Sequence, residues 1–307
     1  MPSTEIVLTG ELYPVRLGGS GGALARRVQS FSTDKTRTVE EDFEMGTEGM
    51  IGVGVGPWMY TGRMSANLID TSIERVFIAE ATATSDVTLK EMMNAAGIDI
   101  EGKDDGIGGA VIQSITYNVS VPNGKVTAEY SFKGTSLKAG VLALTSPVAG
   151  GVGSYRSPKA FVGIGTVPGS NIYMKRVKSV SINVQFRAAE DYELSATDPF
   201  FIDQTTPSVT VTIEYHNTVL SPADPTDPKG YRPEPEPSSG DDLTVWIIPS
   251  GLIADRAATG TLVLTVYNLA TESNRKNQQI NQTGSRTIAY RSEGDATTGG
   301  FKIQLLA

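Results

Sequence analysis

A nine-residue pattern occurs twice in this chain, and each copy is followed by a matching return segment. The first copy is Gln113-Ser114-Ile115-Thr116-Tyr117-Asn118-Val119-Ser120-Val121. The second is Lys178-Ser179-Val180-Ser181-Ile182-Asn183-Val184-Gln185-Phe186. Polar and apolar positions agree at every step. Strict alternation of this kind makes a strand with one buried face. The pattern predicts Ile115, Tyr117, Val119 and Val121 on the interior face, with Val180, Ile182, Val184 and Phe186 in the equivalent places. Val126, Ala128, Tyr130 and Phe132 fall into step with Val209, Val211, Ile213 and Tyr215, so each copy opens a hairpin of the same design. A duplicated hairpin suggests a structural part that builds by repetition.

The turns of the two hairpins differ. Pro122-Asn123-Gly124 closes the first tightly, because Asn-Gly supplies the positive φ a short turn needs. The second carries an insert over residues 187–207. It holds Glu190, Asp191, Glu193, Asp198 and Asp203, and also Tyr192, Leu194, Phe200, Phe201 and Ile202. Apolar side chains on a long acidic loop are costly to leave in water. The insert is therefore expected to pack on a neighbouring subunit through Tyr192, Phe200, Phe201 and Ile202.

Around the hairpins, a strand-poor stretch runs from Gly18 to Gly56 and includes the acidic run Glu40-Glu41-Asp42-Phe43-Glu44. A loop of that length in a compact domain is usually functional or ordered by a partner, and Phe43 joins the candidate contacts. A short strand is expected at Glu5–Leu8, and strands resume at Ser72–Ala79. Ser85 or Asp86 can cap a helix running to about Ala96, with Leu89, Met92, Met93 and Ala96 on one face and Gly97 as its stop. Residues 222–237 read PADPTDPKGYRPEPEP, a proline-rich strap that favours an extended form. Strands follow at Leu243–Ile248, Leu262–Leu269, Thr287–Tyr290 and Phe301–Leu306. The reading divides the chain into a β domain over 1–221, the strap over 222–238, and 239–307 completing the same β architecture or forming a small separate domain.

Residue counts exclude several chemistries. The chain has no cysteine and a single histidine, His216, which leaves neither thiolate chemistry nor a multi-His metal centre within one chain. Gly18-x-Ser20-x-Gly22 matches a nucleophile elbow only in letters, because neither a strand nor a helix is expected to flank it. Gly52-x-Gly54-x-Gly56 and Gly106-x-Gly108-Gly109 open no helix, so they do not read as phosphate loops. Glu40–Glu44 and Asp104-Asp105 lack the spacing of a calcium loop and read as solvated. Trp58 and Trp246 read as core or interface anchors. A net charge of −8 disfavours tight binding to a phosphate backbone. The N-terminus has no basic start before an apolar run, and folding in a cytoplasm is expected.

Gln113–Gly134 and Val177–Asn217, with Asp86–Ala96, and Leu262–Leu269 leading to Phe301–Leu305, resemble the phage tail tube family. That family includes type VI secretion and contractile-injection tubes. The resemblance implies a mainly β fold: a pseudo-duplicated β-sandwich or β-barrel with one short flanking helix and long loops. It implies a structural virion protein, made in the host cytoplasm, that forms a hexameric ring stacked into a hollow tube. DNA passes through without specific binding, and tape-measure, tail-terminator and sheath proteins are the expected partners. No cofactor, metal, membrane contact or catalytic residue is expected. Two other readings stand beside it: a monomeric β module of the virion that binds a receptor or carbohydrate, and a hydrolase on a β scaffold.

Overall fold

The two repeats form neighbouring antiparallel strands that pair with each other along their length. Tyr117, the fifth residue of the first repeat, sits opposite Ile182, the fifth of the second, while Ile115 pairs with Val184 and Val119 with Val180. The pairing therefore has a local two-fold axis through the Tyr117–Ile182 rung. The return strands keep the same symmetry. Tyr130 pairs with Ile115 and Val126 with Val119, just as Ile213 pairs with Val180 and Val209 with Val184.

The computed structural model describes residues 15–18, 22–25, 27–43, 50–77, 86–93, 97–103, 105–121, 124–139, 154–165, 172–173, 177–216, 241–277, 285–294 and 296–307. The elements in chain order are β1 (Val15–Leu17), β2 (Ala23–Ala25), β3 (Val28–Phe43), β4 (Met50–Asn67), α1 (Ser72–Val76), β5 (Asp86–Thr88), α2 (Leu89–Met93), β6 (Ile98–Glu101), β7 (Asp105–Ser120), β8 (Val126–Gly134) and β9 (Ser136–Ala139). There follow β10 (Ala160–Gly165), β11 (Ile172–Tyr173), β12 (Val177–Asp191), β13 (Phe201–His216), β14 (Asp242–Ile247), β15 (Leu262–Val266), β16 (Leu269–Asn277), β17 (Ser285–Ser292) and β18 (Phe301–Leu305). The chain is mainly β, as the alternation predicts.

The repeats lie at the centre of an antiparallel run ordered β3-β4-β8-β7-β12-β13-β17-β16. The first half of β7 leaves this run and pairs with β6 and β9, and β6 continues to β1 and β2. A second sheet, ordered β11-β10-β14-β15-β18-β5, packs across the inner face of the first. Ile115, Tyr117, Val119, Val180, Ile182, Val184 and Phe186 join one core with Leu243, Val245, Leu264, Phe301 and Ile303. The Tyr117 ring stacks on Phe301 at 5.5 Å between centroids, which ties the symmetric rung to the opposite sheet. Burying each such large side chain is worth about 1.5–3 kcal/mol. The outer face carries hydroxyls and amides that bond across strands, as in Ser114–Ser131 at 2.6 Å and Ser181 to Asn118 at 2.9 Å.

Several expectations are corrected. Val121 is 52% exposed, because the chain turns away after Ser120. Gly124 has the positive φ expected of it, +66, while Pro122 and Asn123 lie outside the described residues. The stretch from Gly18 to Gly56 is not strand-poor: β3 and most of β4's outer half lie in it, although its glycines and charges mask the alternation. Ser72–Val76 is a helical turn, begun where Asp70 accepts the Ser72 N–H at 2.9 Å. The expected helix from Asp86 is shorter. Asp86–Thr88 pairs with β18 instead, and Thr88 and Glu91 form a reciprocal capping box at the start of α2. The C-terminal strands take two places: β17 and β16 extend the long run beyond β13, and β14, β15 and β18 sit in the second sheet. Leu262–Leu269 is divided between β15 and β16. Glu5–Leu8 and the proline strap lie outside the described residues.

A carboxyl group is buried beneath the symmetric rung. Glu74 of α1 is fully buried, and its Oε1 accepts the hydroxyls of Tyr117 at 2.9 Å and Tyr130 at 2.7 Å. Its Oε2 is buried without a partner. Phe77 stacks on Phe132 at 5.5 Å, holding the helix against β8. Burial pushes the Glu74 pKa up, against the lowering effect of the tyrosine hydrogen bonds, and Asp70 nearby adds to the rise. The folded chain thus holds this proton more tightly than the unfolded chain does. The stabilisation is complete below the ordinary value of 4.5 and is lost as pH rises through the folded pKa. Glu74→Gln should therefore melt at or below the wild type near about pH 4, and gain on it as pH rises to about 8. A melting difference that is the same at both pH values would show that Glu74 does not change protonation on folding.

Candidate assembly surface

β3 and β4 pair from Val28–Ala66 out to Phe43–Met50, but β8 covers β4 only from Tyr60 to Asn67. Beyond Tyr60 the two strands continue alone as a ribbon. Residues 34–41 of β3 are exposed on both faces. Val39 lies opposite Val55, and Val53 lies opposite Glu41, so three valines share one face of the ribbon. They are 58%, 55% and 50% exposed for Val39, Val55 and Val53. Gly52, Gly54 and Gly56 alternate with the valines, which leaves the other face of β4 as bare backbone. A free two-stranded ribbon is marginal in water, so its order needs support from elsewhere.

Part of that support comes from the insert in the second hairpin. β12 and β13 stay paired out to Asp191–Phe201, and only Tyr192–Phe200 forms a loop. That loop grips the root of the ribbon. The Trp58 N–H donates to the Thr197 carbonyl at 2.8 Å, and the Tyr192 hydroxyl donates to the Trp58 carbonyl at 3.0 Å. The Tyr60 hydroxyl donates to the Asp198 carboxylate. Burial and that carboxylate push the Tyr60 pKa up to about 12. Lys35 and Arg37 lie over the Trp58 ring, at 4.1 and 4.5 Å from its centroid. Such exposed cation–π contacts are worth about 0.5–1 kcal/mol each.

A second set of contacts bridges the gap where β7 and β12 part beyond Ser114–Gln185. Lys133 of β8 donates to the Ala188 carbonyl at 3.1 Å and pairs with Glu190 at 2.7 Å. The Gln204 side chain donates to the Ile112 carbonyl at 2.6 Å. The insert is thus a brace within its own subunit, which the length difference between the two hairpins does not reveal.

The structure separates the predicted contact residues. Phe200 and Phe201 are 71% and 55% exposed, and Leu194 is fully exposed. Asp191, Glu193, Asp198 and Asp203 are exposed around them. Tyr192 is half-buried in the brace, and Glu190 is paired with Lys133. Ile202 is buried in its own subunit, which removes it from any contact surface. Phe43 ends β3, and its side chain lies outside the described residues. Sequence reasoning missed Val39, Val53 and Val55, whereas Trp58, read as a core or interface anchor, is held at the root of the ribbon. The signal for Val53 and Val55 is the run Gly52-Val53-Gly54-Val55-Gly56-Pro57-Trp58, which alternates once glycine is counted as a strand residue.

Other motifs fall in plain places. Gly106, Gly108 and Gly109 lie within β7, His216 ends β13, and Trp246 is buried on the outer side of the second sheet. Ser20 lies outside the described residues. A depression on the outer face of the first sheet is lined by Arg63, Ser65, Ser114, Thr116 and Ser131. Tyr130 also borders it, but directs its hydroxyl inward to Glu74. No group of three or more His, Asp or Glu among the described residues could hold a metal ion.

These burial values predict two separable effects. Replacing both Phe200 and Phe201 with Ser should leave the melting temperature of the isolated chain nearly unchanged. Ile202→Ala should cost about 2–5 kcal/mol. Chemical denaturation of the two variants checks this, and a large loss in the phenylalanine pair would place those rings in the core.

No family model and no curated protein matches the chain. Among solved structures, Hcp1 from Flavobacterium johnsoniae is similar over 46% of this chain and 96% of its own, with 14% identity and a TM-score of 0.22. A likeness that low carries no argument for fold or function.

Proposed function

We propose that this chain is a structural virion protein that assembles into rings, and that the rings stack into the hollow tail tube through which phage DNA is delivered. The observation that carries the reading is the braced β3–β4 ribbon. It holds Val39, Val53 and Val55 out in water on ordered backbone, and the braced hairpin next to it does the same for Phe200 and Phe201. Large apolar side chains fixed in solvent mark a surface built for a protein partner. The resemblance of the duplicated hairpins to tail tube proteins names the kind of assembly.

The sheet supports ring closure. β3 and β16 are the two edges of the long run, and each has one strand partner among the described residues. Every neighbouring pair in the run is antiparallel, so β3 and β16 point in opposite directions. Edge-to-edge pairing between β16 of one copy and β3 of the next would continue the alternation and remove both free edges. A hexamer is the ring size we propose. With a net charge of −8, the subunit would let DNA pass with little adhesion. In this reading the protein is not an enzyme, works in the virion, and meets tape-measure, tail-terminator and sheath proteins.

The ribbon can be removed without touching the core. Val28, at the start of β3, is buried, so a deletion from Gly18 would unfold the sheet. Replacing residues 38–57 with Asn-Gly instead closes the hairpin at Arg37–Trp58, a register pair. The shortened chain should keep its circular dichroism and melting behaviour and fail to form large species in sedimentation velocity. Assembly equal to that of the full chain would show that the ribbon is not an assembly element. A full chain that sediments as a compact monomer at every concentration would favour the monomeric binding module.

A further inference from the structure

We propose that the apolar ribbon end of one copy docks on the opposite end of a second copy, and that charge sets this head-to-tail polarity. The inference rests on the assembly reading above and names the partner surface.

Both ends are defined by register. Ser120, Ser179, Glu214, Thr287 and Arg275 form one continuous rung across β7, β12, β13, β17 and β16. This rung marks the end far from the ribbon. The β7–β8 turn projects from it, bearing exposed Val121 and Lys125. The Ser157 hydroxyl donates to the Lys125 carbonyl at 3.0 Å, which places exposed Arg156 and Lys159 beside that turn. The Lys159 ammonium donates to the Pro249 carbonyl in the turn after β14, and that turn bears Leu252, 61% exposed. Arg275 is exposed at the same level. This end is therefore basic with isolated apolar side chains.

The ribbon end has the opposite sign. Glu40, Glu41, Asp191, Glu193 and Asp203 are exposed around the valines and the phenylalanine pair. Lys35 and Arg37 sit nearer the root, over Trp58. Two copies meeting ribbon end to ribbon end would bring like charges together, and so would two basic ends. Acidic end on basic end pairs unlike charges and covers exposed apolar groups on both sides. Such a contact uses two different surfaces, so each added copy leaves one of each free and growth continues. Charges exposed at a surface are screened within about 8 Å at physiological salt, so the contact weakens as salt rises.

The test uses the full chain in two charge-reversed forms. One carries Glu40→Lys, Glu41→Lys and Glu193→Lys, and the other carries Lys125→Glu, Arg156→Glu and Arg275→Glu. Each variant alone has two ends of one sign, and its sedimenting polymer should fall about tenfold or more, equivalent to about 1.4 kcal/mol. An equimolar mixture restores both complementary contacts and should recover polymer, which also shows that both variants are folded. The unmodified chain should lose polymer between about 0.05 M and about 1 M NaCl. Variants that polymerise alone like the wild type, a mixture that stays dispersed, or polymer indifferent to salt would overturn the head-to-tail pairing. A wild type that never polymerises would overturn the assembly reading, and this inference with it.

Discussion

The Tyr117–Ile182 rung is the contact on which the rest of this structure depends. It sets two strands of matching pattern side by side in a register that only their shared centre satisfies. A slip of one residue would turn Ile115, Tyr117 and Val119 from the core to solvent. From this rung the return strands β8 and β13 take matching registers, and β4 and β17 follow outside them. The rung also anchors the third dimension. The Tyr117 ring meets Phe301 of the second sheet, and its hydroxyl reaches Glu74. One residue thus couples the sheet, the facing sheet and α1.

The departures from symmetry carry the functional reading. On one side, β3 and β4 overrun β8 and form a ribbon; on the other, β12 and β13 overrun β7 and end in the acidic loop. The two extensions lean on each other through Trp58, Tyr60, Tyr192 and Asp198. Each contact is modest, but together they fix backbone that two strands alone would hold poorly. The result is apolar surface that is both exposed and ordered. Preorganised surface of this kind binds at lower entropic cost than a loop that must fold on contact.

Much of the central fold could be read from alternation alone. The repeats, their return segments and most of their inward faces needed only period-two patterning and a tight Asn-Gly turn. Val121 departed because a strand end obeys the turn rather than the pattern. The β3–β4 ribbon stayed hidden because its exposed strands carry charges on both faces, and Gly52, Gly54 and Gly56 resemble a loop. The helix at Asp86 is shorter than its pattern suggests because pairing with β18 outweighs local helix preference over Asp86–Thr88. The 187–207 insert departs furthest from what its composition suggests. Its aromatic and acidic composition suggests a distant partner, but Tyr192, Asp198 and Ile202 serve the subunit itself, and Leu194, Phe200 and Phe201 remain outside. Composition does not distinguish a brace from a contact, because both need the same side chains, and only the fold shows which is covered.

We propose that this chain is a ring-forming subunit whose rings stack through ordered apolar ends. Electron cryomicroscopy of the purified full chain at high concentration and low salt tests it most directly. Stacked rings around an open channel are expected, with the ribbon of each subunit seated on the next ring. Compact monomers, or solid fibrils without a channel, would contradict it.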